Sequence, residues 1–89
     1  LNYQNHYGNS ILHDIVLWAN DRPDIFKDRV AAVMIRYYLN LGVNPTLVNK
    51  DNFTASALVQ RFKKIANENN YDPHHLNHVQ NAFTLKSYN

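Results

Sequence analysis

The chain has 89 residues, nine Lys or Arg against seven Asp or Glu, and 45% hydrophobic residues, the profile of one small globular domain. It contains no cysteine, which excludes disulfides, thiolate zinc sites and cysteine nucleophiles and fits a cytoplasmic setting. A formal charge of +2 is too small to mark a nucleic-acid footprint, and no run of about eighteen apolar residues offers a membrane span.

The first phrase to stand out is Asn2-Tyr3-Gln4-Asn5-His6-Tyr7-Gly8-Asn9-Ser10, echoed by Thr46-Leu47-Val48-Asn49-Lys50-Asp51-Asn52-Phe53-Thr54. Each copy places a residue suited to positive φ, Gly8 or Asn52, two positions before a hydroxyl residue, Ser10 or Thr54, that can cap a helix. After Ser10, Leu12, Ile15, Val16 and Ala19 fall at the spacing of a helix with one buried face. Asn20-Asp21-Arg22-Pro23 breaks that pattern. Pro23 suits a first helical position and Asp24 the first turn of a second helix. In it Phe26, Val30, Val33, Met34, Tyr37 and Leu41 keep helical spacing up to Gly42, the residue just past the C-cap.

Pro45 disfavours helix at Asn44, so the chain is expected to run extended through Thr46-Leu47-Val48 into Lys50-Asp51-Asn52. A third helix follows Thr54, with Ala55, Leu58, Val59, Phe62, Ile65 and Ala66 inward and Gln60, Arg61, Lys63, Lys64 and Asn67 outward. Asn67-Glu68-Asn69-Asn70 ends it. Asp72-Pro73 then pairs an N-cap with proline at the next position, opening a fourth helix in which Leu76, Val79 and Phe83 share a face. The result is an all-α order of loop, helix, helix, loop, helix, helix, whose short connections make each pair antiparallel.

These residues resemble the ankyrin repeat family, whose unit is a hairpin-like loop followed by two antiparallel helices. Gly8-Asn9-Ser10-Ile11-Leu12-His13 is similar to the family's Gly-x-Thr-Pro-Leu-His signature, with serine for threonine and isoleucine for proline. Tyr38-Leu39-Asn40-Leu41-Gly42-Val43-Asn44-Pro45 is similar to the end of an outer helix running into Gly-Ala-Asp-Pro. The resemblance implies an ankyrin-like stack of two antiparallel helix pairs joined by an extended hairpin-like loop. One domain would span 1–89, with a first repeat at about 5–48 and a degenerate C-terminal repeat at about 49–89. There are departures. Gly8 and Asn52 stand 44 positions apart, whereas the family's period is about 33, so taller helices or a longer turn near Asn20 to Asp24 are expected. The second unit has Asn52, Ser56 and Ala57 where the signature has glycine, leucine and histidine. Leu1-Asn2 enters in mid-loop, which suggests a piece excised from a longer protein. Two repeats alone are few for stability.

Four clusters invite chemistry. Ser10, His13 and Asp14 lack a strained nucleophile elbow, and adjacent helical residues point about 100° apart, so a structural role at the helix start is expected and no catalytic residue is assigned. His74, His75 and His78 have spacings that could meet at a metal, yet no carboxylate or cysteine completes a ligand set, so neither metal site nor cofactor is assigned. Arg61, Lys63 and Lys64 make a basic cluster, expected to be a solvated face and not a phosphate or nucleic-acid site. Aromatic residues at the loop tips are more telling, because they anchor interfaces with little entropy lost.

The resemblance implies a partner-binding surface of loop tips and inner helices comprising His6, Tyr7, Asn9, Asp14, Leu17, Trp18, Lys50, Asp51 and Phe53. The expected role is a non-catalytic protein-interaction module, not an enzyme, whose partner is another protein or an upstream domain of the same chain, with no nucleic acid and no membrane. The alternative is an accessory segment of a larger enzyme that positions its substrate. Fourteen asparagines make the composition similar to ankyrin proteins among bacterial effectors and poxviruses, which would place the chain in a host cytosol.

Overall fold

In a computed structural model, residues 2–21 and 24–84 are described, and they contain helices and turns but no strand. The elements are α1 (Ile11–Asp21), α2 (Ile25–Asn40), α3 (Ala55–Glu68), a 3-10 turn (Pro73–Leu76) and α4 (Asn77–Thr84). The helix starts follow the expected caps. Thr54 Oγ1 accepts from Ala57 N at 3.1 Å, and Asp72 Oδ1 accepts from His74 N at 3.1 Å with proline at the next position. Asp24 differs from expectation: it is the N-cap of α2 rather than a first-turn residue, its carboxylate accepting from Phe26 N at 2.9 Å. Pro23 lies outside the described residues. The fourth helix also begins one turn later than its cap, because the segment from Pro73 winds as a 3-10 turn before α4 starts.

α1 has 11 residues and α2 has 16. α1 packs on α2 and α3, and α2 packs on α4. The molecule is a slab of 36 × 29 × 18 Å, about two helix diameters thick. Leu12, Ile15, Val16 and Ala19 of α1 all lie in the core, with Ala55, Leu58 and Val59 of α3 and Leu76, Val79 and Ala82 behind them.

The second helix corrects the sequence reading. Its buried face is Asp28, Ala31, Ala32 and Ile35, whereas Phe26, Val33, Tyr37 and Leu41 are exposed. Helical spacing identifies a helix but not which of two striped sides meets the core, and here small residues win because they let α4 approach closely. A carboxylate is part of that buried face. Asp28 is fully buried, and its two oxygens accept from His78 N and Val79 N, each at 3.0 Å. It thus satisfies two otherwise orphaned donors in the first turn of α4 and ties the outer helices together.

Candidate partner-binding surface

The two loops are built by one local rule. Asn5 Oδ1 accepts from Tyr7 N and Asn9 N, and Asn49 Oδ1 accepts from Asp51 N and Phe53 N, all at 3.0 Å. Asparagine suits the first position because its carbonyl can close a turn against its own backbone. Three residues on, Gly8 has φ 80 and Asn52 has φ 69, the left-handed conformation that reverses the chain. The expected extended run before the second loop is partly a turn, since Asn44 Oδ1 accepts from both Thr46 N and Thr46 Oγ1.

The loops lie side by side. Lys50 N donates to Tyr7 O at 3.0 Å, Gln4 Nε2 to Val48 O at 2.9 Å and Asn49 Nδ2 to Asn9 Oδ1 at 3.0 Å. The approach is close enough that a Cβ on Gly8 would sit 2.8 Å from Lys50 N. This contact, and not the turn alone, explains why the first loop has glycine where the second has asparagine.

His13 locks the helix start to the neighbouring loop. Its ring accepts from Ser10 N at Nδ1, 3.0 Å, with Ser10 Oγ 2.9 Å from the same nitrogen, and Nε2 donates to Phe53 O at 2.8 Å. That network sets the tautomer, with the proton on Nε2. Ser10 and His13 are both fully buried, and Asp14 is exposed. The three therefore do not converge on one accessible point.

Of the nine residues expected at the surface, His6, Tyr7, Lys50 and Asp51 stand exposed at the paired loop tips, and Asp14, Leu17 and Trp18 are exposed along α1. The His6 and Tyr7 rings lie 4.1 Å apart. Lys27 Nζ sits 4.9 Å from the centroid of the Trp18 ring, a cation–π contact that covers part of an indole still 43% exposed. The other two are engaged: Asn9 bonds Asn49, and Phe53 packs on the core with the Arg61 guanidinium 5.5 Å from its ring.

The basic cluster is not one face. Lys63, expected to point outward, is half-buried and its Nζ donates to Asn77 Oδ1 at 2.7 Å and to Gln80 Oε1, bridging α3 to α4. Among the remaining histidines, His74 Nδ1 lies 2.8 Å from Asp72 Oδ1, and the side chain of His75 lies outside the described residues. Among the described residues no group of three or more His, Asp or Glu is placed to hold a metal ion, and no helix is long and apolar enough to cross a membrane.

Sequence reasoning missed Asp28 and Lys63. The only signal for Asp28 was that an acid shared a face with Ala31, Ala32 and Ile35, at i+3, i+4 and i+7. The chain matches no known protein family, and no curated protein or solved structure is detectably similar to it.

Proposed function

We propose that the chain is a two-unit, ankyrin-like helical stack that serves as a non-catalytic protein-interaction module, binding a partner through its loop tips and the outward side of α1. The observation that carries this reading is the side-by-side pairing of the two loops, Tyr7 O with Lys50 N and Asn9 with Asn49. One backbone bond and two side-chain bonds hold the tips side by side, so His6, Tyr7, Lys50 and Asp51 are presented on a rigid frame, which lowers the ordering cost of binding. Trp18 and Leu17 extend the apolar part of that surface along α1. Asp14 and Lys50 supply charges of both signs for orientation. Nothing in this arrangement asks for a cofactor, and a cysteine-free chain of this kind suits the cytoplasm.

The test is a selection of displayed protein fragments against the wild-type chain, followed by re-binding to Tyr7→Ala and Trp18→Ala. Both side chains are exposed, so both variants should melt like the wild type. Selected fragments are expected to lose at least about tenfold in affinity to each variant, the size of a typical aromatic anchor. Fragments that bind both folded variants at full strength would place the binding surface elsewhere.

A further inference from the structure

The side of α2 turned away from the core carries a second surface. Phe26 is 69% exposed, Val33 62% and Tyr37 58%, with Val30 half-buried among them. At about 100° per residue these four stand diametrically opposite Asp28 and Ile35. They form a continuous row along a helix of 16 residues, about 24 Å long, not isolated exposures of the ordinary kind.

Their spacing of four, three and four residues is the alternation of a coiled-coil seam, the pattern that accepts one partner helix by inserting knobs into holes. In that register Arg29 and Arg36 hold equivalent places along one edge of the seam, while Lys27, Met34 and Leu41 hold the other. Both arginines are exposed. Neither is paired, since the ion pair found among the described residues joins His74 to Asp72. Lys27 is turned over Trp18, and the acid within the helix, Asp28, is buried and bonded to the backbone of α4.

Those charges select the occupant. A second copy packed antiparallel would set Arg29 and Arg36 against their own counterparts, and a parallel copy would set them against Met34 and Leu41. Neither arrangement supplies an anion, and the first adds repulsion. We propose that the outward face of α2 docks an amphipathic helix of another protein, one whose apolar stripe is edged by Asp or Glu opposite Arg29 and Arg36. This surface is separate from the loop tips, so the two assignments can fail independently.

The probe is a fluorescein-labelled synthetic helix of about three heptads with leucine in the seam and glutamate on both edges, compared with the same peptide carrying lysine on the edges. Fluorescence anisotropy with the 89-residue chain should show saturable binding of the glutamate peptide, at least about tenfold tighter than the lysine peptide. Val33→Asp should abolish binding without lowering the melting temperature, and Arg29→Glu with Arg36→Glu should reverse the preference between peptides. Tyr7→Ala should leave the binding unchanged. Absence of binding by the glutamate peptide, or equal binding of both peptides, would overturn the proposal. So would a dimer in sedimentation that Val33→Asp dissociates, since a second copy would then cover the face.

Discussion

Val16 and Gln60 occupy matching places in α1 and α3, 44 positions apart, yet Val16 is fully buried and Gln60 is exposed. Leu12 against Ser56 and Ala19 against Lys63 differ in the same direction but by less, since Ser56 and Lys63 are half-buried. α1 is covered on that side, whereas on α3 it is partly open, with Lys63 reaching Asn77 and Gln80 of α4, and the side chains differ accordingly. A flank that faces water is polar even where its counterpart is core. The outward side of α2 breaks this rule, being apolar with nothing described against it. Comparing the two flanks therefore separates a closed face from an open one.

The strongest way to break the comparison is at the tie between the units. Asp28→Ala removes the acceptor for His78 N and Val79 N in a buried site and is expected to cost about 3 kcal/mol, lowering the melting temperature by more than about 10 °C in a domain of this size. Asp24→Ala, at an exposed cap serving α2 alone, should cost only about 1 kcal/mol. Circular-dichroism melts would rank them. A larger loss at Asp24 would mean that local capping, not the bond between outer helices, holds the units together.

His13→Ala attacks the other tie and should cost about 2.5 kcal/mol, from two lost hydrogen bonds and the cavity left behind. The matching position in the second unit is already alanine, Ala57. If urea titration shows His13→Ala within about 0.5 kcal/mol of wild type, the His13–Phe53 bond is not a determinant of the fold's stability.

The loops refine the contrast. Gly8→Ala forces a Cβ against Lys50 N at 2.8 Å while keeping φ near 80, an expected cost of about 2 kcal/mol. Asn52→Gly, at φ 69 in the second loop, should be neutral to within about 0.5 kcal/mol. Equal tolerance at the two positions in denaturant melts would contradict the close approach of the loops.

How much of this was legible beforehand follows from what each signal encodes. The loop echo was readable because Asn5, Gly8 and Ser10, and Asn49, Asn52 and Thr54, act locally: turn closure, positive φ and capping are properties of a few consecutive residues. The α1 stripe was readable because Leu12, Ile15, Val16 and Ala19 share one narrow sector, whereas the exposed Leu17 and Trp18, about 100° apart, form no stripe of their own. α2 was misread because it has two candidate faces, and the larger side chains sit on the wrong one. Asp28 and Lys63 were opaque because their partners, Val79 and Asn77, lie far along the chain, and no spacing rule links an acid to a backbone donor in another helix. Among the candidate surface residues, Tyr7 and Trp18 stood out as aromatics off any stripe. That Asn9 and Phe53 are bonded or packed could not be known until the loops were set side by side.

The smallest expected effect sharpens the boundary between the closed flank and the interior. Lys63 takes the place that Ala19 has in the core, and its stem crosses from α3 to reach Asn77 and Gln80. Lys63→Met keeps most of the apolar stem and deletes the ammonium, so the loss should be about 1 kcal/mol, the net worth of a hydrogen-bonded charge that is only half-buried. Lys64→Met, one residue along and exposed, should change stability by less than about 0.5 kcal/mol. Because Asn77 opens α4, the Lys63 variant should also speed amide exchange in α4 while leaving α3 protected, which Lys64→Met should not do. Indistinguishable exchange in the two variants would return Lys63 to the solvated face and leave Asp28 as the polar tie on α4 among the described residues.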